Sequence, residues 1–291
     1  MGGVAIVIAG VSCVSGKIMA QGQGVHGINW IGAAAILLAV FSFFEDRFGL
    51  AIWKRLGVQI AATGLLMAGG FLITTFGFPG TTVALPPVLA VLIIALFVVW
   101  MTNLYNFMDG MDGFAGGMTV IGFGAFAYLG WAAGSSSFAA VSLIIAAAAA
   151  GFLIFNFPPA RIFMGDTGSS TLGLTAAAMM LWAQRDGLFP LWIGLLVFSP
   201  FIVDATVTLV RRALRGEKVW QAHKTHYYQR LVGLGWGHRR TVLWEYALML
   251  SCVLTAIWGV GLHGVWQWWM VVAWAGAYLT LGFLVGRLER K

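Results

Sequence analysis

Residues 85–113 read LPPVLAVLIIALFVVWMTNLYNFMDGMDG. From Leu85 through Met101 there is no charged side chain, and the Pro86-Pro87 pair suits a helix start. A helix that crosses a bilayer needs ~20 mostly apolar residues, so this segment reads as a membrane span. Its end is of the opposite character, with Asn103, Asn106, Asp109 and Asp112 falling within ten residues. Asn103 and Asn106 are three apart and share a helix face. Gly110 and Gly113 then break the helix and let backbone approach a ligand. Four oxygen-bearing side chains suit a hard cation such as magnesium; the plainer alternative is a polar turn with an N-cap aspartate.

The same alternation of apolar run and polar end recurs along all 291 residues. Further apolar stretches lie at about 3–20, 29–44, 57–76, 114–133, 138–155, 170–184, 188–210, 241–260 and 265–286. With the one just quoted they predict an all-α, polytopic integral membrane protein of about ten transmembrane helices, forming a single domain over 1–291. The composition agrees. Apolar residues make up 60% of the chain and charged residues 9%, whereas soluble domains carry roughly 25% charged residues. A soluble enzyme with a large core is thereby excluded.

The formal charge of +7 is best read through its placement. With both termini cytoplasmic, 15 of the 17 basic residues fall in inside loops or at the C-terminus, and only Lys17 and Arg185 fall outside. The basic surplus is therefore a topology signal, with anionic lipid heads or an anionic substrate as further uses; no nucleic-acid partner is implied. At the N-terminus, Ile6 stands where a myristoylation signal needs Ser or Thr. No positive n-region precedes the first apolar run, so that run reads as a retained span and not a cleaved signal. Cys13 and Cys252 lie in apolar stretches and read as small lipid- or core-facing side chains.

Carboxylates at membrane depth are costly, so their positions are informative. Glu45, Asp46, Asp109, Asp112 and Asp166 lie in three separate loops on one predicted face, which suggests a convergent site organised by a divalent cation. Because adjacent carboxylates point in different directions, one of Glu45 and Asp46 can serve the chemistry while the other binds Arg or metal. In the third loop Pro158-Pro159 end the sixth span and Gly165–Ser170 open the seventh. Asp166 then sits near a helix N-terminus, where backbone amides and the dipole favour phosphate. Pro200 should kink the eighth span, which also carries Asp204. The long loop beyond it holds Arg215, Lys218, His223, Lys224, His226 and Arg230, a natural anion-binding arm. His223 and His226 can bind phosphate, stack on a base or ligate metal, though zinc is disfavoured without cysteines or a third clustered histidine. A plain basic juxtamembrane loop is the simpler reading.

These motifs resemble those of the polyprenyl-phosphate N-acetylhexosamine-1-phosphate transferases, in glycosyltransferase family 4. The matching segments are Asn103–Gly113 (N-x-x-N-x-x-D-G-x-D-G), Asn156–Ser169 (N-x-P-P-A-R-I-F-M-G-D-T-G-S), Glu45-Asp46-Arg47, and Pro200–Arg212 with the His223/His226 loop. The resemblance covers nearly the whole chain. It implies a multi-pass enzyme of the bacterial inner membrane with its active site on the cytoplasmic face. Such an enzyme transfers an amino-sugar 1-phosphate from a UDP-N-acetylhexosamine to undecaprenyl phosphate and releases UMP. It also implies Mg2+, with Mn2+ as a substitute, and admits a homodimer. By the resemblance, Asn106 and Asp166 are metal ligands. Glu45, Asp46, Asp109 and Asp112 are catalytic, with Glu45 and Asp46 directed at the lipid phosphate. Asn103, Arg161, His223, His226 and Arg230 contact the substrates.

The chain departs from the family pattern in three places. Glu45-Asp46 replaces two aspartates. His226-Tyr227-Tyr228-Gln229 replaces the H-x-H-H of many relatives, as in the members that start O-antigen on deoxy-amino sugars. Met1-Gly2-Gly3 looks like the tail of a P-T-P-R-x-G-G loop, so the family's first span is expected to lie upstream. Two other classes remain open on the sequence: an inactive paralogue that binds lipid phosphate or sugar nucleotide, and a cation-coupled transporter. Transporter sites lie near the bilayer midplane, whereas these acids gather at one surface.

Overall fold

In the computed structural model, residues 2–3, 27–48, 52–218 and 223–290 are described. The fold is a helical bundle. Its helices are α1 (Ile28–Phe48), α2 (Ile52–Leu66), α3 (Pro87–Phe107), α4 (Phe114–Ala132), α5 (Ser136–Asn156), α6 (Gly165–Arg185), α7 (Leu191–Val197), α8 (Ser199–Leu214), α9 (Tyr227–Leu231), α10 (Gly237–Val260) and α11 (Val265–Leu288). Nine of the ten apolar stretches coincide with helices; residues 4–20 of the first, with Cys13 and Lys17, lie outside the described residues.

Six helical segments are long and apolar enough to cross a membrane, seven if α7 and α8 count as one bent span. Two elements, with the first stretch outside the described residues, explain why this is fewer than ten. The helix in stretch 57–76 begins early, at Ile52, and breaks at Met67–Phe71, where Gly70 takes a φ of 87°. The chain then forms an antiparallel hairpin, β1 (Thr75–Phe78) and β2 (Thr81–Ala84), with Phe76 opposite Val83. The all-α expectation is corrected to that extent. Gln184, in the last turn of α6, accepts from the N–H of Gly77 at 3.3 Å and of Leu191 at 2.8 Å, which fastens the hairpin to the far end of the bundle.

The second element is α6. Its sequence, GDTGSSTLGLTAAAMMLWAQR, is too polar to face lipid, and every residue from Thr167 to Ala183 is buried. Small residues let neighbouring helices approach closely. A Cβ on Gly173 would lie 2.4 Å from the Met101 carbonyl oxygen of α3. The hydroxyls cost little, because Thr171 and Thr175 donate to carbonyls one turn earlier, each at 2.7 Å. Around this helix the apolar surface is inverted relative to a soluble protein. In α11 only Met270 and Val285 are buried, while Trp266, Trp269, Leu279 and Phe283 face outward.

The expected break near Pro200 occurs at Phe198, where α7 and α8 meet at 81°. Proline lacks an N–H and its ring collides with the carbonyl four residues back, so it is accommodated in the first turn of a new helix. The Phe198 ring then fills the elbow against Phe123, Phe126 and Tyr105. Cys252 is a buried free thiol, as its apolar surroundings predict.

Candidate active site

Three connections converge at the end of the bundle opposite the hairpin. The α3–α4 loop is tied to the α5–α6 loop by two side chains. Asn156 accepts from the Gly113 N–H at 2.9 Å and donates to the Ile162 carbonyl at 2.8 Å. Asp112 accepts from the Ala160 N–H at 3.1 Å. The backbone N–H groups of Gly2 and Gly3 donate to the carbonyls of Phe163 and Met164 at 3.0 and 3.1 Å. A Cβ at Gly3 would come within 2.4 Å of Gly168 Cα, so the two chains cross there only because both residues are glycine.

This scaffold places Asp166 in the first turn of α6, beside the last turn of α3. Asn106 donates to Asp166 Oδ1 at 2.8 Å and to Ser169 Oγ at 3.0 Å. The guanidinium of Arg55, from α2, donates to Asn106 Oδ1 at 2.9 Å. It also lies 3.5 Å from Asp166 Oδ2 and 3.7 Å from Glu45 Oε1. Asp46 Oδ2 accepts from the Thr167 hydroxyl at 3.1 Å and the Thr167 N–H at 3.4 Å, which fixes it at the N-terminus of α6. Asp109 completes the group. Burial, reinforced by the negative charge of Asp166, pushes its carboxyl up to about 8, against the opposing pull of the Gly165 N–H.

One guanidinium thus serves two carboxylates, Glu45 and Asp166, with Asp46 and Asp109 close by on the same loops. Glu45 Oε2 is buried with no hydrogen-bond partner among the described residues. Leaving a buried carboxylate oxygen unpaired is costly. Among the described residues no three His, Cys, Asp or Glu side chains close on one point as a metal cage. The oxygen donors that meet here are carboxylates and the Asn106 amide. That set, with its orphaned oxygen, fits a hard cation held jointly with substrate phosphates.

Asn103 shares its helix face with Asn106 but points to another neighbour. It exchanges hydrogen bonds with Gln59 of α2, at 2.8 and 3.2 Å. Gln59 and Arg55 are one turn apart on α2 and together position the two asparagines. Asp112, three residues beyond Asp109, turns away to Ala160 and to His238 Nδ1 at 3.2 Å.

A second unit docks beside the α3–α4 loop. Asp204, on α8, accepts from the N–H groups of Tyr227 and Tyr228 at 2.9 and 3.2 Å and lies 3.2 Å from His226 Nδ1. A carboxylate at the start of a helix satisfies free N–H groups and complements its dipole, so Asp204 holds α9 in place. Tyr228 donates from its hydroxyl to the Phe107 carbonyl at 3.0 Å. The buried His226 ring stacks between Phe107 and Tyr228, with His223 4.8 Å away. Burial, the nearby His226 and Arg212 lower the His223 imidazole to about 4. Arg230 is turned away from the acids, in a two-pronged pair with Glu289 beyond α11. Arg161 is exposed on the α5–α6 loop.

Sequence reading missed Arg55, Gln59 and His238 as members of this site. The i, i+4 spacing of Arg55 and Gln59 was the available signal. Alongside α8, α10 and α11 enclose a cavity of about 1150 Å³, walled by residues such as Pro200, Val203, Leu248, Leu279 and Phe283, with Asp204 and Glu245 on its lining.

The family description "Glycosyl transferase family 4" matches residues 28–184, which contain the whole acidic cluster. A Bacillus subtilis protein named "Probable undecaprenyl-phosphate N-acetylglucosaminyl 1-phosphate transferase" is 30% identical over 260 residues, covering 88% of this chain and 72% of that protein. The phospho-N-acetylmuramoyl-pentapeptide-transferase of Shouchella clausii is 32% identical over 229 residues, 76% of this chain and 67% of the relative. The protein of the same name from Lactobacillus helveticus is 28% identical over 277 residues, 89% and 83% respectively.

Proposed function

The chain belongs to glycosyl transferase family 4, and from that membership and the polar cluster at one end of its bundle we propose that it moves an N-acetylhexosamine 1-phosphate from a UDP-sugar to undecaprenyl phosphate. An oxygen of the lipid phosphate attacks the sugar-bearing phosphorus of the donor. A new pyrophosphate bond forms, the original pyrophosphate bond breaks, and UMP leaves. The observation that carries this reading is the meeting of Glu45 and Asp166 at Arg55, with Asn106 bonded to Asp166, Asp46 bonded to Thr167 and Asp109 beside Asp166 and Gly165, at the N-terminus of the most deeply buried helix.

Two anions must meet in the reaction, and the chain supplies the means. Arg55 offsets charge at Asp166 and Glu45. The opening turn of α6 offers its dipole to phosphate oxygens. Asp109, protonated at neutral pH by its surroundings, can lie near a phosphate without repelling it. The acceptor monoester is already largely a dianion at pH 7, since its second pKa is about 6, so attack needs no strong base. Asp166, Asn106 and Glu45 would hold Mg2+, or Mn2+ in its place, and such an ion supplies Lewis-acid neutralisation of the transferring phosphates. The cavity between α8, α10 and α11 offers an apolar channel for the isoprenyl chain. We place the site on the cytoplasmic side of a bacterial plasma membrane, which the basic residues crowding that end support. His226-Tyr227-Tyr228-Gln229, in place of the H-x-H-H of many relatives, supports a role in starting O-antigen or a related envelope glycan.

The test is UMP release by the purified protein. Release should require both undecaprenyl phosphate and a UDP-N-acetylhexosamine, and should stop on adding EDTA. No release from any such donor would refute the reading. Glu45→Asp keeps the carboxylate and restores the family's usual pair; it should turn over at or above the rate of the unaltered protein in the same assay. Complete loss in that variant would show that the longer side chain is a specific requirement.

A further inference from the structure

A second cavity, of about 600 Å³, opens at the start of α10 between Trp236, Arg239, Arg240, Leu243, Trp244 and Ala247. Gly235 and Gly237 both take left-handed backbone conformations, with φ of 88° and 68°, and the chain turns sharply between them. That turn leaves Trp236 half-buried and presents Arg239 and Arg240 to the outside. The Arg240 guanidinium lies 4.1 Å from the centre of the Trp236 ring. Among the described residues no carboxylate lies within ion-pair distance of either arginine. Their neighbour His238 pairs with Asp112 of the α3–α4 loop, which sets the cleft at the level of the site loops, where the bundle meets water.

Further into the bundle the character changes. Leu243, Trp244 and Ala247 continue down α10 at helical spacing, with Leu243 and Trp244 exposed. Trp236, Trp244 and Ala247 also line the larger cavity, so the two spaces share a wall. The cleft therefore offers two uncompensated cations at the interface, two tryptophans of the kind that settle at headgroup depth, and an apolar wall leading into the bilayer.

We propose that this cleft is a binding site for an anionic membrane phospholipid. Arg239 and Arg240 take the headgroup phosphodiester, Trp236 and Trp244 flank it, and an acyl chain lies along Leu243 and Ala247. Charge complementarity selects an anionic over a zwitterionic headgroup. The apolar wall selects a lipid over free phosphate. The assignment stands on α10 alone and is independent of the transferase reading.

Native mass spectrometry of the purified full chain in detergent provides the test, with phosphatidylglycerol and phosphatidylcholine of matched acyl chains as probes. The unaltered protein should bind phosphatidylglycerol preferentially, and R239Q/R240Q should weaken that binding by about tenfold or more. The exposed pair in K54Q/R290Q removes the same charge elsewhere and should leave it intact. Equal binding of the two lipids, or equal loss in both double variants, would overturn the proposal. So would displacement of phosphatidylglycerol by millimolar inorganic phosphate, or by equimolar undecaprenyl phosphate, which would make the cleft an anion site or part of the acceptor site. Trp244→Leu gives a second check: it keeps both arginines and should lower phosphatidylglycerol retention less than the double arginine variant does.

Discussion

Asp166→Asn is expected to lower UMP release by about 10³-fold while the protein folds and inserts normally. The change is nearly isosteric. An amide oxygen at this position can still accept from Asn106, whose 2.8 Å hydrogen bond joins α3 to α6, so the helix junction should survive. What is lost is the charge. Arg55 then keeps only the more distant Glu45 as an ionic partner, and the guanidinium is free to swing from Asn106 toward substrate or solvent. The Asp166 oxygen facing Arg55 also becomes an amide group that serves poorly as a cation ligand. Losing one preorganised electrostatic element from an active site costs about 10²–10³ in rate, and Asp166 serves Arg55 and Asn106 together and would hold the proposed cation as well. Intrinsic tryptophan fluorescence on heating checks the fold in parallel. Normal turnover in a correctly folded variant would remove Asp166 from the centre of the site.

The parts of this arrangement that could be read from sequence are those set by local rules. Apolar runs of membrane length locate helices, because a lipid-facing backbone must satisfy its own hydrogen bonds. Pro200 marks the broken span to within two residues. Asp166 falls in the first turn of a helix as its glycine-rich surroundings suggest. The hairpin Thr75–Ala84 is hidden because Phe71–Phe76 extend the apolar run of the helix, and Gly69-Gly70 and Pro79-Gly80 are its local signals. Hydropathy alone starts α6 five residues late, because a helix enclosed by others has no need to be apolar, and it is the Gly165–Ser170 motif that marks its opening turn. Arg55 escapes notice because its charge is fully accounted for as a topology signal, and nothing local shows that it reaches across to Asn106. Asp109 and Asp112 look equivalent in N-x-x-N-x-x-D-G-x-D-G. Only the fold separates them, sending one to Gly165 and Asp166 and the other to Ala160 and His238.

That separation leads to a prediction in which activity and stability move in opposite directions. In Asp109→Asn, UMP release should fall by about 10²–10³-fold, while the protein becomes more resistant to heat. The carboxyl of Asp109 rises from the ordinary aspartate value of about 3.9 to about 8 in the folded chain, first through burial and then through Asp166. An acid whose pKa is raised by folding costs stability wherever the unfolded chain is ionised and the folded one resists ionisation. The cost is absent below about pH 4, grows as pH climbs toward 8, and is constant above that, where both states are ionised. Asparagine does not titrate and escapes it throughout. The melting temperature of the variant, measured in EDTA across this range, should therefore match that of the unaltered protein near pH 4 and lead by a widening margin up to pH 8. A margin for Asp109→Asn that stays flat with pH would mean that Asp109 is ionised at neutral pH. The site would then carry one more negative charge for Arg55 and the proposed divalent cation to offset.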